Sequence, residues 1–472
     1  MVLFKKSLFS LLIISLSCGF SPLTEATNGS FLHGYGTKNK ALGGSGSANP
    51  QDAHTAANNP AGMVHIGNRF DFSTEILIAD RGYKLNGTEE VHSDTFMLGA
   101  FDGFFVIPAI GYNHMINDKS SIGFSIYGSG IGTDYRKENT PSFQQLILPD
   151  TPAINRFVEL IDPDHTVIKS PLGINTYNLS KSINGTFLDG DTQLDVLLAI
   201  LNISYSRIIS DDLSLGVGLV VAAQSLKTKG LILFTELSQE PEKVNGNGRD
   251  WAVGAGLSLG VQYDIVEDVT LAASYQSEIE LVHDKYAGFI AGEGRMNMPQ
   301  NATFGAAFRM SETAVFSFDF QWINFSGIPA TGNRISDFDL LQITGGAQFN
   351  RIGNANGPGL GSKDAFIYKV GNQWKFDADS SLTWRIGFSH MEQIMRPAET
   401  LVGSLAPATI TTHYTAGMSW QVDADTEFSL SLMYAPKTKV DGLPSSFSLG
   451  IDYLFLEEYS IEMALAFRFG NK

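Results

Sequence analysis

The stretch Trp251–Tyr263, WAVGAGLSLGVQY, decides the fold class because its side chains alternate with a period of two. Successive side chains of a β-strand point to opposite faces of the sheet. One face of this stretch is apolar and aromatic, and the other carries Gly254, Gly256, Ser258, Gly260 and Gln262. The pattern predicts a long strand with an apolar face and a face of small or polar residues.

The same alternation recurs along the chain, most clearly in the last strand, Tyr459–Phe469. Aromatic residues such as Trp322, Trp374 and Trp420 stand near strand ends, as in the girdles of membrane barrels. A soluble β-sandwich also alternates, so the connections have to decide between the two. Further alternating stretches are Leu213–Val221, Ala302–Phe308, Ala314–Trp322, Phe366–Phe376, Leu382–Phe388, Tyr414–Val422 and Phe428–Tyr434.

The connections between these stretches are alternately very short and very long. The short ones are polar: Asn117-Asp118-Lys119, Ser210-Asp211-Asp212, Val266-Glu267-Asp268, Ser311-Glu312, Asp377–Ser380 and Asp423-Ala424-Asp425. The long ones cover roughly 80–100, 132–192, 228–249, 282–298, 327–363, 393–410 and 437–457. Short periplasmic turns and long extracellular loops are typical of outer-membrane barrels. We therefore predict an all-β fold, a transmembrane antiparallel barrel of about 14 strands.

One run, Phe447–Phe455, does not fit this count. A single-chain bacterial barrel with both ends on the periplasmic side needs an even number of strands. We therefore interpret Phe447–Phe455 as part of the last extracellular excursion.

Residues 1–26 have the three parts of a signal peptide. Lys5 and Lys6 supply charge, Leu8–Leu16 is apolar, and Thr24-Glu25-Ala26 offers a cleavage site. The apolar run is about half of the roughly 20 residues that span a bilayer, so we expect an exported protein. The 472 residues carry a net charge of −17, which argues against nucleic-acid binding. The only cysteine, Cys18, lies in this leader, so disulfides are not expected.

The segment Phe31–Met63 is rich in Gly, Ala and Asn and cannot form a core of its own. Placed before a 14-stranded barrel, it makes the chain resemble the FadL/TodX family of outer-membrane transporters for hydrophobic compounds. The resemblance covers nearly the whole mature chain. Four stretches carry it: HGYGTKNKALGG (33–44), ANNPAGM (57–63), VIPAIGYNHMINDKSSIGFSIYGSG (106–130) and EMALAFRF (462–469).

The resemblance implies a division of the chain into a signal peptide (1–26), a hatch that plugs the lumen (27–67) and a barrel (68–472). The family's Asn-Pro-Ala motif falls on Asn59, Pro60 and Ala61. The family's third strand is kinked inward, which here points to Gly128, Gly130 and Gly132 in the strand starting at Ser120. The alternative is that these glycines only lead the strand into its long loop.

The resemblance also implies a ligand path that starts at the loops. Apolar residues in the loops after strands 5 and 7 predict a capture site formed by Leu231, Leu233, Phe234, Phe289 and Ile290. The alternative is that these residues are buried beneath the loops. If the ligand carries a carboxylate, a buried base should meet it. The candidates with lumen parity are Arg309, Lys369 and Arg385.

The sequence thus predicts uptake of hydrophobic small molecules, most simply long-chain fatty acids, through the bacterial outer membrane. Exit would be lateral, at the strand 3 kink. Alternatives are an aromatic or alkane hydrocarbon channel and a general porin. No hydrolase, phosphate-binding or metal-ligand motif is present, so we expect no catalytic residues, no cofactor and no metal. A monomer surrounded by outer-membrane lipid is expected.

Overall fold

The computed structural model describes residues 28–29, 31–85, 88–94, 100–101, 104–140, 142–150, 152–187, 190–334, 351–442 and 451–470. The predicted signal peptide, residues 1–26, lies outside the described residues.

The described chain forms a closed barrel of 14 antiparallel strands, which confirms the predicted fold. Each strand pairs with its neighbours in chain order, and the first strand closes the ring by pairing with both the second and the last. The strands are β1 (Arg69–Leu85), β2 (Phe104–Asn117), β3 (Ser120–Tyr135), β4 (Thr192–Ser210), β5 (Leu213–Lys229), β6 (Asp250–Val266), β7 (Val269–Gln276), β8 (Asn301–Ser311), β9 (Ala314–Ile323), β10 (Ala365–Trp374), β11 (Leu382–Met391), β12 (Thr412–Gln421), β13 (Thr426–Asp441) and β14 (Ile451–Arg468).

The apolar face of each strand points away from the lumen. On β6, Leu257 is 61% exposed, whereas Ser258 and Gln262 on the opposite face are each 7% exposed. Apolar side chains that face outward are stable in a bilayer. Where neighbouring strands pair, the hydrogen bonds between them satisfy the backbone N–H and C=O groups of the wall. The alternation in the sequence therefore separates a lipid face from a luminal face.

The six predicted polar turns join consecutive strands at one end of the barrel. The interpretation of Phe447–Phe455 as loop is wrong for Ile451–Phe455, which begin β14 and pair with β1 and β13. Residues 447–450 lie outside the described residues. β1, β13 and β14 are 16 to 18 residues long, so their outer ends project beyond the bilayer as an extension of the wall.

The long loops at the other end carry short elements of their own. Two strands, Glu90–His92 and Ala100–Phe101, extend the barrel sheet, and three more form a separate sheet: Ser142–Pro149, Thr166–Ile168 and Ile174–Asn184. The α-helices are Pro152–Ile161, Pro329–Gly332 and Thr400–Gly403. The 3₁₀-helices are Lys137–Asn139, Ile232–Phe234, Pro241–Lys243, Asp284–Tyr286, Phe325–Gly327 and Pro397–Glu399.

None of the helices in the described ranges has the length and apolar character needed to cross a membrane.

The segment before β1 lies inside the barrel. It contains two short α-helices, Thr37–Ala41 and Thr55–Asn58, and a 3₁₀-helix, Pro60–His65. Most of its residues from Phe31 to Val64 are buried, and the rest are partly buried. Because this segment has few large apolar side chains, its burial depends on polar contacts with the wall.

Candidate functional site

The Asn-Pro-Ala motif of the luminal segment is seated against two glycines of the wall. Asn59 donates from Nδ2 to the carbonyls of Ser47 (3.0 Å) and Val261 (3.2 Å), and its Oδ1 accepts from the Ala61 amide (3.1 Å). A Cβ at Gly260 would lie 2.1 Å from the Asn59 Oδ1, and one at Gly216 would lie 2.3 Å from the Ala61 nitrogen. Glycine is therefore required at both wall positions for this close approach.

A buried ion-pair cluster ties the first helix of the segment to the wall. The Lys40 ammonium lies 2.5 Å from Glu75 of β1 and 2.6 Å from Glu462 of β14. These two glutamates are directly paired residues of neighbouring strands. Lys38 forms a second ion pair, with Glu427 of β13. Removing Lys40 would leave the buried carboxylates of Glu75 and Glu462 without a counter-charge, whereas removing Lys38 would leave Glu427 with only the more distant Arg69 and Arg468. The cluster therefore holds the segment in place, chiefly through Lys40.

Two apolar cavities lie between this segment and the extracellular loops. The outer cavity is lined by residues that include Leu226, Phe234, Phe289, Ile290, Val402 and Leu405. The inner cavity is lined by residues that include Gly29, Ser129, Gly130, Ile131, Leu198 and Leu456. Met296 and Leu360 line both, so the cavities adjoin. No charged side chain among the described residues lines either of them.

Four of the five predicted capture residues are buried beneath the loops, and the fifth, Phe289, is partly buried. Phe234, Phe289 and Ile290 meet at the outer cavity, and the Phe234 and Phe289 ring centroids are 5.6 Å apart. Leu231 and Leu233 belong to the surrounding core and do not line the cavity. The structure thus brings three of the five residues to one cavity, and their role in capture stays a prediction.

The glycines predicted at the strand 3 kink lie where β3 separates from β2. The ladder between the two strands runs from Asn117–Ser120 to Ala109–Tyr127 and ends there. Above it, Gly128–Tyr135 pair with β4, and Val106–Pro108 pair only with β1 among the described strands, whereas Phe105 pairs with both β1 and Ala100. We call the space between Gly128–Gly130 and Val106–Pro108 the β2–β3 gap. Its inner side adjoins the inner cavity, which Ser129, Gly130 and Ile131 line.

The upper part of β3 and the adjoining part of β4 lie on the lumen side of β2. On β4, Ile203 and Tyr205 face outward and are 37% and 39% exposed, whereas Leu197 has the same parity and is 2% exposed. Leu197 belongs to one apolar cluster with Phe105 and Ile107, buried residues of β2. An outward-facing residue can meet the inner face of another strand only if the first strand has moved into the barrel.

Contacts from β1 and the following hairpin close the top of the gap. Arg81 is fully buried and donates from Nε to the Gly132 carbonyl (2.7 Å), and the Asp94 amide donates to the Asp134 carbonyl (2.8 Å). On β2, Ala109 pairs with Tyr127 and Phe105 pairs with Ala100, so the unpaired edge spans four residue steps, about 13 Å at 3.3 Å per residue.

The three candidate carboxylate partners lie away from both cavities. Lys369 and Arg385 are buried against the luminal segment: Lys369 pairs in register with Asp319, which accepts from the Ser47 amide. Arg385 donates to Gln51 Oε1 (2.8 Å) and Ser419 Oγ (2.7 Å). Arg309 is exposed at the periplasmic mouth. The alternation of side chains along the strands predicted the face of the wall on which these residues lie. It could not predict their height in the barrel.

Several residues at the site were not foreseen from the sequence. Met296 and Leu360 join the cavities but come from irregular loops without a periodic pattern. Gln224 lines the inner cavity from the luminal face of β5 and contacts His283 of the loop after β7. A signal for Gln224 was present, since it is the lone amide in the run LVVAAQSL (219–226).

Comparison with known proteins agrees with this architecture. Residues 166–442, more than half of the chain, match the family model described as outer membrane protein transport protein (OMPP1/FadL/TodX). No curated protein matched the chain.

Three solved structures illustrate the shared fold. The P. putida toluene transporter TodX is 17% identical, with 93% of this chain and 100% of that chain covered and a TM-score of 0.59. The Ralstonia pickettii toluene transporter TbuX is 16% identical, with 93% and 99% covered and a TM-score of 0.59. A Pseudomonas aeruginosa FadL homologue is 14% identical, with 96% and 100% covered and a TM-score of 0.59.

Proposed function

Because this chain belongs to the OMPP1/FadL/TodX family of outer membrane transport proteins, we propose a specific path by which it takes up hydrophobic small molecules. The protein lies in the bacterial outer membrane. The ligand enters at the outer cavity, passes Met296 and Leu360 into the inner cavity, and leaves sideways through the β2–β3 gap into lipid. The observation that carries the proposal is the continuity of two apolar cavities with a gap in the wall.

The luminal segment acts in this proposal as the hatch. It blocks direct passage of water and ions, and the Lys40 and Lys38 ion pairs keep it seated. A general porin would leave a polar constriction without such a segment. The apolar ligand is then directed towards the gap rather than into the periplasm. Transport of this kind needs no bond to be made or broken, so we propose a monomeric carrier and not an enzyme.

The ligand proposed is uncharged. Our sequence-based expectation of a long-chain fatty acid requires a cation near the cavities, because a buried carboxylate without one is costly. The described lining of both cavities contains none. Lys369 and Arg385 are engaged with Asp319, Gln51 and Ser419 instead. A hydrocarbon-like compound therefore fits the cavities better than a fatty acid.

A disulfide across the gap tests the path. Continuing the register Ala109–Tyr127 by two residues would set Ile107 opposite Ser129. In the variant Ile107→Cys with Ser129→Cys, oxidation should draw the strands together and stop uptake, and reduction should restore it. The matched control is Tyr112→Cys with Phe124→Cys, which links the same strands where they already pair. Normal uptake by the oxidised first variant would rule out lateral exit here.

The ligand itself can be identified by mass spectrometry of an organic extract of the purified protein.

A further inference from the structure

One side chain that lines the inner cavity, Gln224, is an amide in an otherwise apolar row of the wall. On the luminal face of β5, Gln224 lies between Ala222 and Leu226, and all three are buried. Its β4 neighbour in register, Leu198, lines the same cavity. An amide in such surroundings is costly unless both of its ends are hydrogen-bonded.

His283 holds one end of this amide. The His283 Nε2 lies 2.9 Å from the Gln224 Oε1, and the imidazole is fully buried. Burial lowers the pKa of His283 to about 4, so the ring is neutral at neutral pH. A neutral ring that donates from Nε2 to Oε1 fixes the amide with its nitrogen turned away from His283. The loop backbone positions the ring, because the His283 amide donates to the Gly294 carbonyl (2.8 Å).

The other end of the amide has no partner in the described part of the chain. Neighbouring polar groups of the cavity are already engaged: Asn297 donates to Glu278 Oε1 (2.6 Å) and accepts from the Leu281 amide (3.0 Å). Thr331 donates to the Phe325 carbonyl (2.7 Å). The Gln224 Nε2 group therefore presents a free donor to a cavity that is mainly apolar and in which Asn297 and Thr331 are already hydrogen-bonded. A few placed polar groups in an apolar pocket commonly fix the orientation of a ligand.

We propose that Gln224 donates a hydrogen bond to an acceptor oxygen of the ligand, and that His283 is the residue that positions this donor. The inference rests on the proposed function and narrows its ligand to one class: uncharged apolar molecules that carry a single carbonyl, ether or hydroxyl oxygen. A pure hydrocarbon leaves the Gln224 donor unsatisfied. A carboxylate gains this hydrogen bond but meets no cation in the described lining.

Two probes of nearly equal shape, acetophenone and ethylbenzene, test the inference. Their dissociation constants are measured by equilibrium dialysis of the detergent-solubilised protein, and the ratio of the two constants is compared between the wild type and Gln224→Leu. One neutral hydrogen bond corresponds to a factor of roughly five in affinity. We expect the preference for acetophenone to fall by that factor in Gln224→Leu, while the affinity for ethylbenzene is kept or improved.

The control variants separate positioning from packing. His283→Phe should lose the acetophenone preference, and His283→Gln, which keeps a neutral donor, should restore part of it. Thr331 lines the same cavity, and the variant Thr331→Val should leave the ratio of the two dissociation constants unchanged. Heat-modifiable gel mobility shows whether each barrel is folded. If both probes bind and the ratio is the same in the wild type and in Gln224→Leu, the inference is overturned. If neither probe binds the wild type, the proposed function itself fails.

Discussion

Replacing Lys40 with methionine should release the hatch from the wall. Burial alone would lower the pKa of Lys40, but Glu462 and Glu75 raise it above its ordinary value, so the residue carries a charge. Methionine keeps much of the side-chain length and removes that charge. The carboxylates of Glu75 and Glu462, which are paired residues of adjacent strands, are then buried together without a cation.

The magnitude follows from the burial of all three groups, whose side chains are 3–5% exposed. Removing one partner of a buried ion pair costs roughly 3–5 kcal/mol. That cost applies only while the hatch is seated, since the carboxylates can reach water once it leaves. The equilibrium between seated and released hatch should therefore shift by roughly two to four orders of magnitude.

Planar-bilayer recordings measure this shift as the fraction of time spent in a conducting state. Lys40→Met should conduct far more often than the wild type. The triple variant Lys40→Met with Glu75→Gln and Glu462→Gln should close again, because its buried groups are neutral. Heat-modifiable mobility should be unchanged in both, since the wall ladders do not depend on the hatch. A closed Lys40→Met channel in a correctly folded barrel would refute the idea that this cluster seats the hatch.

Three further predictions concern the loops and the seat of the hatch. Phe234→Ala with Phe289→Ala should weaken ligand affinity by well over tenfold, at roughly 1.5–3 kcal/mol per buried side chain. The lipid-facing control Leu259→Ala should leave the ligand affinity unchanged. If the double phenylalanine variant and this control show equal uptake at low ligand concentration, the outer cavity is excluded as the entry. The loop around His283 should lose stability as the pH falls from 6.5 towards 4, because the unfolded loop takes up a proton before the buried ring does; amide hydrogen exchange that is independent of pH over this range would contradict it. Gly260→Val should displace Asn59 and raise conductance, whereas the outward Ala255→Val should have no effect, and a silent Gly260→Val would mean that the motif is not seated there.

The sequence by itself determined the wall of this protein. The strands alternate with a period of two, have an apolar outer face and are joined alternately by short polar turns and long loops. Few structures other than a closed barrel fit this pattern, because the backbone groups at an open sheet edge would have no hydrogen-bond partners in lipid. The glycine cluster Gly128–Gly132 predicted a kink in β3, and the ladder between β2 and β3 ends at Tyr127, directly before it; the role of these glycines stays a prediction. The run Phe447–Phe455 was misread because a strand that projects beyond the bilayer loses the membrane pattern, and so resembles a loop.

The tertiary structure decided what lies inside that wall. Alternation gives the side on which Lys369, Arg385 and Gln224 lie, but their height depends on the stagger of the strands and on the seat of the hatch. Leu231 and Phe234 are equally apolar neighbours, yet only Phe234 reaches the cavity, because loops distant in sequence fold over both. The inward course of β3 likewise depends on Arg81 and Leu197, whose partners lie on other strands. Local pattern reports the environment of a strand face, and a binding site is made by contacts between faces that only the closed barrel brings together.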